Sequence, residues 1–483
     1  MKRIIYILLP LILLSCENML EEVPRNFVSR SNYYQTEADA QGAINGAYAA
    51  IGPDFFGITY YLLIELHGDF LNGRGSQAPI SLVDRVLDQQ NIGRANTAWA
   101  SIYTAINRAN AVLDNVPNIT NMNEEVKNRI LGEAHFLRAL CYFELVRGWG
   151  AVPLRIKESK DLAELAMPRA PESEVYALIV NDLLAAEQSL PISVGNEKGR
   201  ASVWAAKMLL AHVYLTMGNN ADAAAKASDV IASGNFSLVS VQAPDDFYDI
   251  FASETSAEEI MSVKHSANRQ SDLPLYLHMG GNRPYNYSTS GFFGWLPDRN
   301  SFIGAAWDEN DLRKDFNLYT QYQNASGAWV SLPNTAPVLF KKYITTPEAL
   351  RIHAAPVYRY VEALLFYAEA ATRAEGAPSA LALERLNMVK RRAYGYDPNT
   401  PSPVDYPAGM SEDAFVDAVL QERAYEFMLE RRRFFDLKRT GKVKEAFAAA
   451  GKNFIDERLY FPIPENEINN NPALSQADQN PGY

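Results

Sequence analysis

SVWAAKMLLAHVYLTMGNNADAAAKASDVIASGNFSL, residues 202–238, holds two apolar stretches at helical spacing around a polar turn. Residues 201–215 and 221–233 each place apolar side chains three and four apart, the period of a helix laid on a core. Gly218-Asn219-Asn220 breaks the period between them. Leu210, Ala211 and Tyr214 on the first helix face Ala223 and Ala227 on the second, and the small residues let the two backbones approach closely.

The same large-small-aromatic step is that of a tetratricopeptide unit, and it recurs. Ala139 and Tyr142 repeat it, and Ala368 with Ala371 echo it. The spacing predicts helices over 36–50, 97–116, 127–149, 357–375 and 378–393, which together read as four helix pairs in a mainly α chain. In the second of these, Trp99, Ile102, Tyr103, Ile106, Ala109, Asn110 and Leu113 share one face. The rings of Trp99 and Tyr103 could stack on a sugar, but their spacing assigns them to the core. Residues 127–149 are apolar nearly all round, which predicts burial on most sides. Ser411 caps a further helix running through Phe415, Val419, Phe427 and Phe434. Its mixed charges, Glu422, Arg423, Glu426, Glu430, Arg431, Arg432, Arg433 and Asp436, predict a salt-bridged face rather than an anion site. Long insertions at about 51–96 and 236–345 carry much of the Gly, Pro and aromatic punctuation, and loops on a rigid scaffold are where binding residues concentrate.

The chain has 483 residues, 48% of them hydrophobic, enough to build a packed core. Its formal charge of -12 disfavours nucleic acid, whose phosphates demand a basic surface. A neutral glycan and a basic peptide both remain compatible. Residues 1–15 begin with Lys2 and Arg3 and continue through an apolar run to Leu14, the layout of a secretory signal and too short to span a bilayer. Leu13-Leu14-Ser15-Cys16 resembles the lipobox of bacterial lipoproteins, which predicts cleavage before Cys16 and its acylation. Residues 16–30 then form a lipidated tether. Cys141 sits in an apolar helix and reads as a buried small hydrophobe. Two cysteines used in these ways leave none for a structural zinc site, and no metal or cofactor is expected.

Five segments now carry more than periodicity: GEAHFLRALCYFELVRGWGAVPL (132–154), the opening stretch (202–238), RYVEALLFYAEAATRAEG (359–376), ERAYEFMLERRRFFDLKR (422–439) and LYFPIPENEINNNPALSQADQNPGY (459–483). In this order behind a lipobox, the chain resembles the SusD/RagB-like outer-membrane lipoproteins. That resemblance implies the SusD-like α/α superhelical fold, with residues 31–483 as one domain of tetratricopeptide-like pairs and elaborated loops. It also implies a non-catalytic binding protein on the outer face of the outer membrane. Its partner would be a SusC-like TonB-dependent barrel, over which it sits as a lid while a captured ligand is imported. The family has no shared ligand-binding motif to transfer, so site residues must come from loop position and chemistry.

Sugars are held by aromatic faces and by amide, acid and guanidinium groups. LHGDFLNGRGSQ (66–77) offers His67, Asp69, Asn72, Arg74 and Gln77 among glycines. YLHMGGNRPYNYSTSGFFGWLPDRN (276–300) offers Asn282, Arg283, Tyr285, Tyr287, Phe292, Phe293, Trp295 and Arg299, whose rings follow no helical or strand period. Trp295 and Tyr287 are the first candidates, with Tyr285, Asn282, Arg283, Asp69, Asn72 and Arg74 around them. A glycan is the expected ligand and a peptide the alternative. A surface glycosidase would need two carboxylates placed across a sugar bond. The six histidines show no HExxH spacing, and neither a GxSxG elbow nor a phosphate-binding glycine loop is present.

Overall fold

The computed structural model describes residues 33–52, 57–161, 166–251, 254–279, 281–282, 284, 291–302, 305–343 and 351–483. The signal (1–15), Cys16 and the tether (16–30) lie outside them. The described chain is mainly helical, with small two-stranded pairings in the insertions.

Helices α1 (Glu37–Ile51), α2 (Ile58–Glu65), α3 (Gln89–Asn115), α4 (Glu124–Trp149), α5 (Glu172–Ser189), α6 (Val203–Met217) and α7 (Asn220–Ala232) lead into the larger insertion. After it come α8 (Tyr360–Glu375), α9 (Ala380–Ala393), α10 (Glu412–Glu426), α11 (Arg433–Arg439) and α12 (Glu465–Asn470). The pairs α1/α3, α4/α5, α6/α7 and α8/α9 pack internally and stack in that order, through α3 on α4, α5 on α6 and α7 on α8. Polar side chains start several of them. Thr36 and Asp39 close a capping box on α1, while Asp88, Asn123, Ser202, Ser379 and Ser411 cap α3, α4, α6, α9 and α10.

Four details depart from the spacing. First, α3 begins at Gln89, two turns before residue 97, because Asn91 and Arg94 spend those turns holding Ser76 through polar contacts. Second, α5 is not among the helices the spacing predicts, yet it completes the second pair. A Cβ on Gly132 would stand 2.9 Å from the Ser189 Cβ, so only glycine allows α4 and α5 to close at that point. Buried Asp182 of α5 also accepts two 2.7 Å bonds from Arg138 of α4.

Third, 355–359 is a strand rather than the start of α8. Pro356 restricts its predecessor to extended backbone. Numbering strands in chain order as β1 (Asn72–Gly73), β2 (Glu259–Val263), β3 (Gly294–Trp295), β4 (Gln321–Gln323), β5 (Trp329–Ser331) and β6 (Ala355–Arg359), β6 pairs antiparallel with β2. Fourth, the helix from Ser411 stops at Glu426 instead of continuing to Phe434. Leu429 (φ 63°) and Arg431 (φ 61°) turn left-handed, although neither is glycine. Tertiary hydrogen bonds hold this strain. The Leu429 carbonyl accepts from the hydroxyls of Tyr61 (2.9 Å) and Tyr343 (3.1 Å), and the Met428 carbonyl from Lys342 (2.8 Å).

As predicted, α4 is buried on nearly all sides, including Cys141, whose thiol burial pushes well above its usual range. His212 packs between Phe143 and Phe366, with the Tyr358 hydroxyl 3.0 Å away. The mixed charges of 422–436 are ion-paired, but inside the protein rather than on a solvated face. Glu426 meets Arg359 at 2.6 Å, Arg392 at 2.7 Å and Arg313 at 3.4 Å, all buried. Glu362 joins Arg423 and Arg432, and Asp436 joins Arg423 and Arg439. Burial alone would raise the Glu426 carboxyl, but these guanidiniums hold it far below its usual range.

Candidate functional site

Helix α2 delivers the first loop. Where it ends, His67 and Asp69 turn inward. The His67 ring lies against Phe434 (4.2 Å) and Phe461 (5.3 Å), between Arg458 groups at 2.8 and 2.9 Å. Burial and the Arg458 charge keep it neutral. Asp69 is fully buried, and Arg433 takes up its carboxylate at 2.8–3.2 Å. Asp69, expected at the binding surface, is therefore a structural anchor below it. A loop carboxylate and a distant arginine have no visible relation in sequence.

Beyond Asp69 the chain surfaces. Asn72 pairs with Trp295 and Gly73 with Gly294 as β1 and β3, so the two candidate loops meet in one short antiparallel ribbon. Gly73 is required there, because a Cβ would lie 2.6 Å from the Gln77 carbonyl. The Arg74 N–H donates to the Phe293 carbonyl at 2.8 Å, and its exposed guanidinium covers the Phe292 ring at 4.7 Å. Arg94 of α3 braces the following turn by donating to Ser76 Oγ at 3.0 Å.

Beneath the ribbon lies a local apolar cluster of Phe292, Tyr319, Leu332, Ala336 and Leu339, with Trp295 and Tyr322 packed on it half-buried. Phe292 and Phe293 are core residues of this region, as is Asn282, buried and donating to the Tyr319 hydroxyl at 3.2 Å. Asn282 thus also moves from the expected contact set to the scaffold. Arg283, Tyr285 and Tyr287 lie outside the described residues. Arg299 is engaged by Asp315.

One exposed residue of the larger insertion escaped sequence reasoning. Strands β4 and β5 form a hairpin in which Tyr322 packs on the cluster and pairs with Val330. Trp329, opposite Gln323, points the other way and is 56% exposed. The alternation QYQ…WVS around Asn324-Ala325-Ser326-Gly327 carries that signal, since alternate strand residues face opposite sides. The ribbon thus gathers a half-buried tryptophan, the Arg74 guanidinium and the Asn72 amide on one surface, and the hairpin of the same insertion carries an exposed tryptophan, Trp329. Such a surface can stack on an apolar ring face and bond hydroxyls in an oriented way. Among the described residues, no three His, Cys, Asp or Glu gather as a metal site, and no helix is long and apolar enough to cross a membrane.

The SusD family profile matches residues 198–483, more than half of the chain. The protein belongs to the SusD family. A second profile, described as "Starch-binding associating with outer membrane", matches residues 28–215. SusD-like protein P2 of Formosa agariphila is 28% identical over 516 aligned positions, covering 100% of this chain and 99% of that protein. Among solved structures, a SusD superfamily protein from Parabacteroides distasonis is 26% identical with a TM-score of 0.76, covering 92% of this chain and 99% of its own. A laminarin-binding SusD-like protein is 24% identical with a TM-score of 0.72, covering 93% and 100%. The fold expected of a SusD relative is therefore present, helix pairs and loop insertions together.

Proposed function

We propose that this SusD-family protein is a lipid-anchored outer-membrane binding protein that captures a neutral glycan and passes it to a TonB-dependent barrel. The ligand would lie across Trp295 and Trp329, with Arg74 and Asn72 bonding its hydroxyls. Arg283, Tyr285 and Tyr287, from the same insertion, would complete the surface. The observation that carries this reading is the pairing of Asn72 with Trp295, which fixes two sequence-distant loops into one aromatic and polar surface. The starch-binding description of the second profile and the laminarin-binding relative support the ligand class.

The test is calorimetry of the protein lacking residues 1–16 with laminarin, starch and a basic peptide library at low and high salt. A glycan should bind with little salt dependence, because no charge pairing is involved. Trp295→Ala and Trp329→Ala should each weaken it about tenfold, or about 1.4 kcal/mol. Salt-sensitive peptide binding, or glycan binding indifferent to both changes, would refute the reading. Cys16→Ala should release the protein from the membrane fraction.

A further inference from the structure

A second cavity lies on the helical scaffold, between the middle of α3, the 155–159 segment and α12. Its volume is about 550 Å³, within the range of small-molecule sites. Half-buried Tyr103 supplies the aromatic lining, backed by Trp99, which is 4% exposed, and Asn96, Asn107, Asn466 and Asn470 line the cavity with carboxamides. Arg155 and Glu467 face each other across it at 3.6 Å.

The supports are fixed while the lining is uncommitted. Trp99 is held by ring contacts with Tyr103 (4.9 Å) and Trp149 (5.7 Å), and the Tyr103 hydroxyl donates to the Pro153 carbonyl at 2.7 Å. Buried Asn110 pins the 155–157 backbone, donating to the carbonyls of Arg155 and Lys157 at 3.0 Å each. Helix α12 is moored by Asn471, which exchanges hydrogen bonds with the Met167 backbone at 2.8 and 3.0 Å. By contrast, among the described residues Asn107 uses only its carbonyl oxygen, toward the Ser159 N–H at 2.8 Å. The Asn96 Oδ1 is buried with no hydrogen-bond partner among the described residues.

We propose that this cavity is a second saccharide site, taking one or two neutral sugar rings. A carboxamide both donates and accepts, as a sugar hydroxyl does, and the aromatic lining suits the apolar face of a pyranose. Arg155 is neutralised by Glu467, and Arg108, the other cation of the lining, donates to the Gly46 carbonyl at 2.8 Å, so carboxamides rather than a charged cluster dominate the site. Along α3 the lining runs from Asn96 to Asn107, about 3–20 Å beyond Arg94, which braces the loop surface, at 1.5 Å per residue. The proposal shares the ligand class of the reading above but none of its residues.

The test is saturation-transfer NMR of the protein lacking residues 1–16 with the methyl glycosides of glucose, galactose, mannose and N-acetylglucosamine, and with trialanine. The Trp295→Ala/Trp329→Ala double variant serves as background, which removes the loop surface. At least one glycoside should still receive saturation there, and adding Asn466→Ala and Asn470→Ala, both exposed on α12, should weaken it at least tenfold. No glycoside signal in the background, a signal indifferent to the asparagines, or an asparagine-dependent signal from trialanine alone would each overturn the proposal. Failure of the loop reading would instead appear as laminarin or starch binding by the Asn466→Ala/Asn470→Ala variant that the tryptophan changes do not weaken.

Discussion

Replacing Glu426 by glutamine keeps the side chain's shape and removes one charge from the centre of the buried ion network. Among the described residues the carboxylate is the only group that touches Arg359, Arg392 and Arg313 together, and all four side chains are at most 3% exposed. Losing one member of a buried pair costs about 3–5 kcal/mol, because the partner charge is left desolvated. Arg392 would retain only Glu258 at 2.6 Å, while Arg359 keeps Glu258 and Glu430. Glu422→Gln is the internal control. Glu422 touches Arg313, which still holds Asp311 through contacts of 2.7–3.2 Å, so its loss should cost about 1.5–3 kcal/mol. Urea unfolding followed by circular dichroism at pH 7.5 measures both. The folded-state carboxyl lies below its unfolded value of 4.5, so its stabilisation is present above that pH and is lost as pH falls toward the folded value. Wild type and Glu426→Gln should therefore converge in acid. A cost below about 1 kcal/mol, or equal costs for the two variants, would refute the argument.

Glu65 should behave in the opposite sense. Burial raises its carboxyl to about 7, despite the bond it accepts from the Arg431 N–H. The stability it contributes is present below 4.5 and lost as pH rises to about 7, so Glu65→Gln should gain on wild type across that window, reaching about 3 kcal/mol at pH 8. Denaturant midpoints at pH 4 and 8 would show it. Asp69→Asn should destabilise by about 3 kcal/mol in the same assay, since it leaves Arg433 without its partner. Trp329→Ala should leave the midpoint unchanged within about 0.5 kcal/mol, because its ring is mostly in solvent. Cys141 should ignore a thiol reagent until the protein unfolds, its thiolate being disfavoured by burial.

The repeating helices were legible because burying an apolar stripe imposes a period that survives in sequence. Trp99 and Tyr103 read as core, and Trp99 packs on Trp149. Periodicity failed where polar groups or tertiary bonds shape the backbone. Asn91 and Arg94 lengthen α3 without an apolar signal, and the Leu429–Arg431 turn needs Tyr61, Tyr343 and Lys342 from other segments. The two candidate loops were found by composition, but their pairing through Asn72 and Trp295 was not readable. Within them, composition could not separate Asp69 and Asn282, whose partners Arg433 and Tyr319 are remote in sequence, from Arg74, which reaches solvent.

The stacking of α7 on α8 sets an order for folding. The chain leaves the helical stack at Ala232 and rejoins it only when β6 pairs with β2 and α8 begins at Tyr360. During N-to-C-terminal emergence, the first three helix pairs can assemble from neighbouring segments, but the surface of α7 that receives α8 stays bare until the whole insertion has followed. For that interval the nascent chain carries an uncovered apolar flank. A truncation before residue 355 would make the interval permanent, giving a species prone to aggregate or to recruit chaperones however well its first helices are formed.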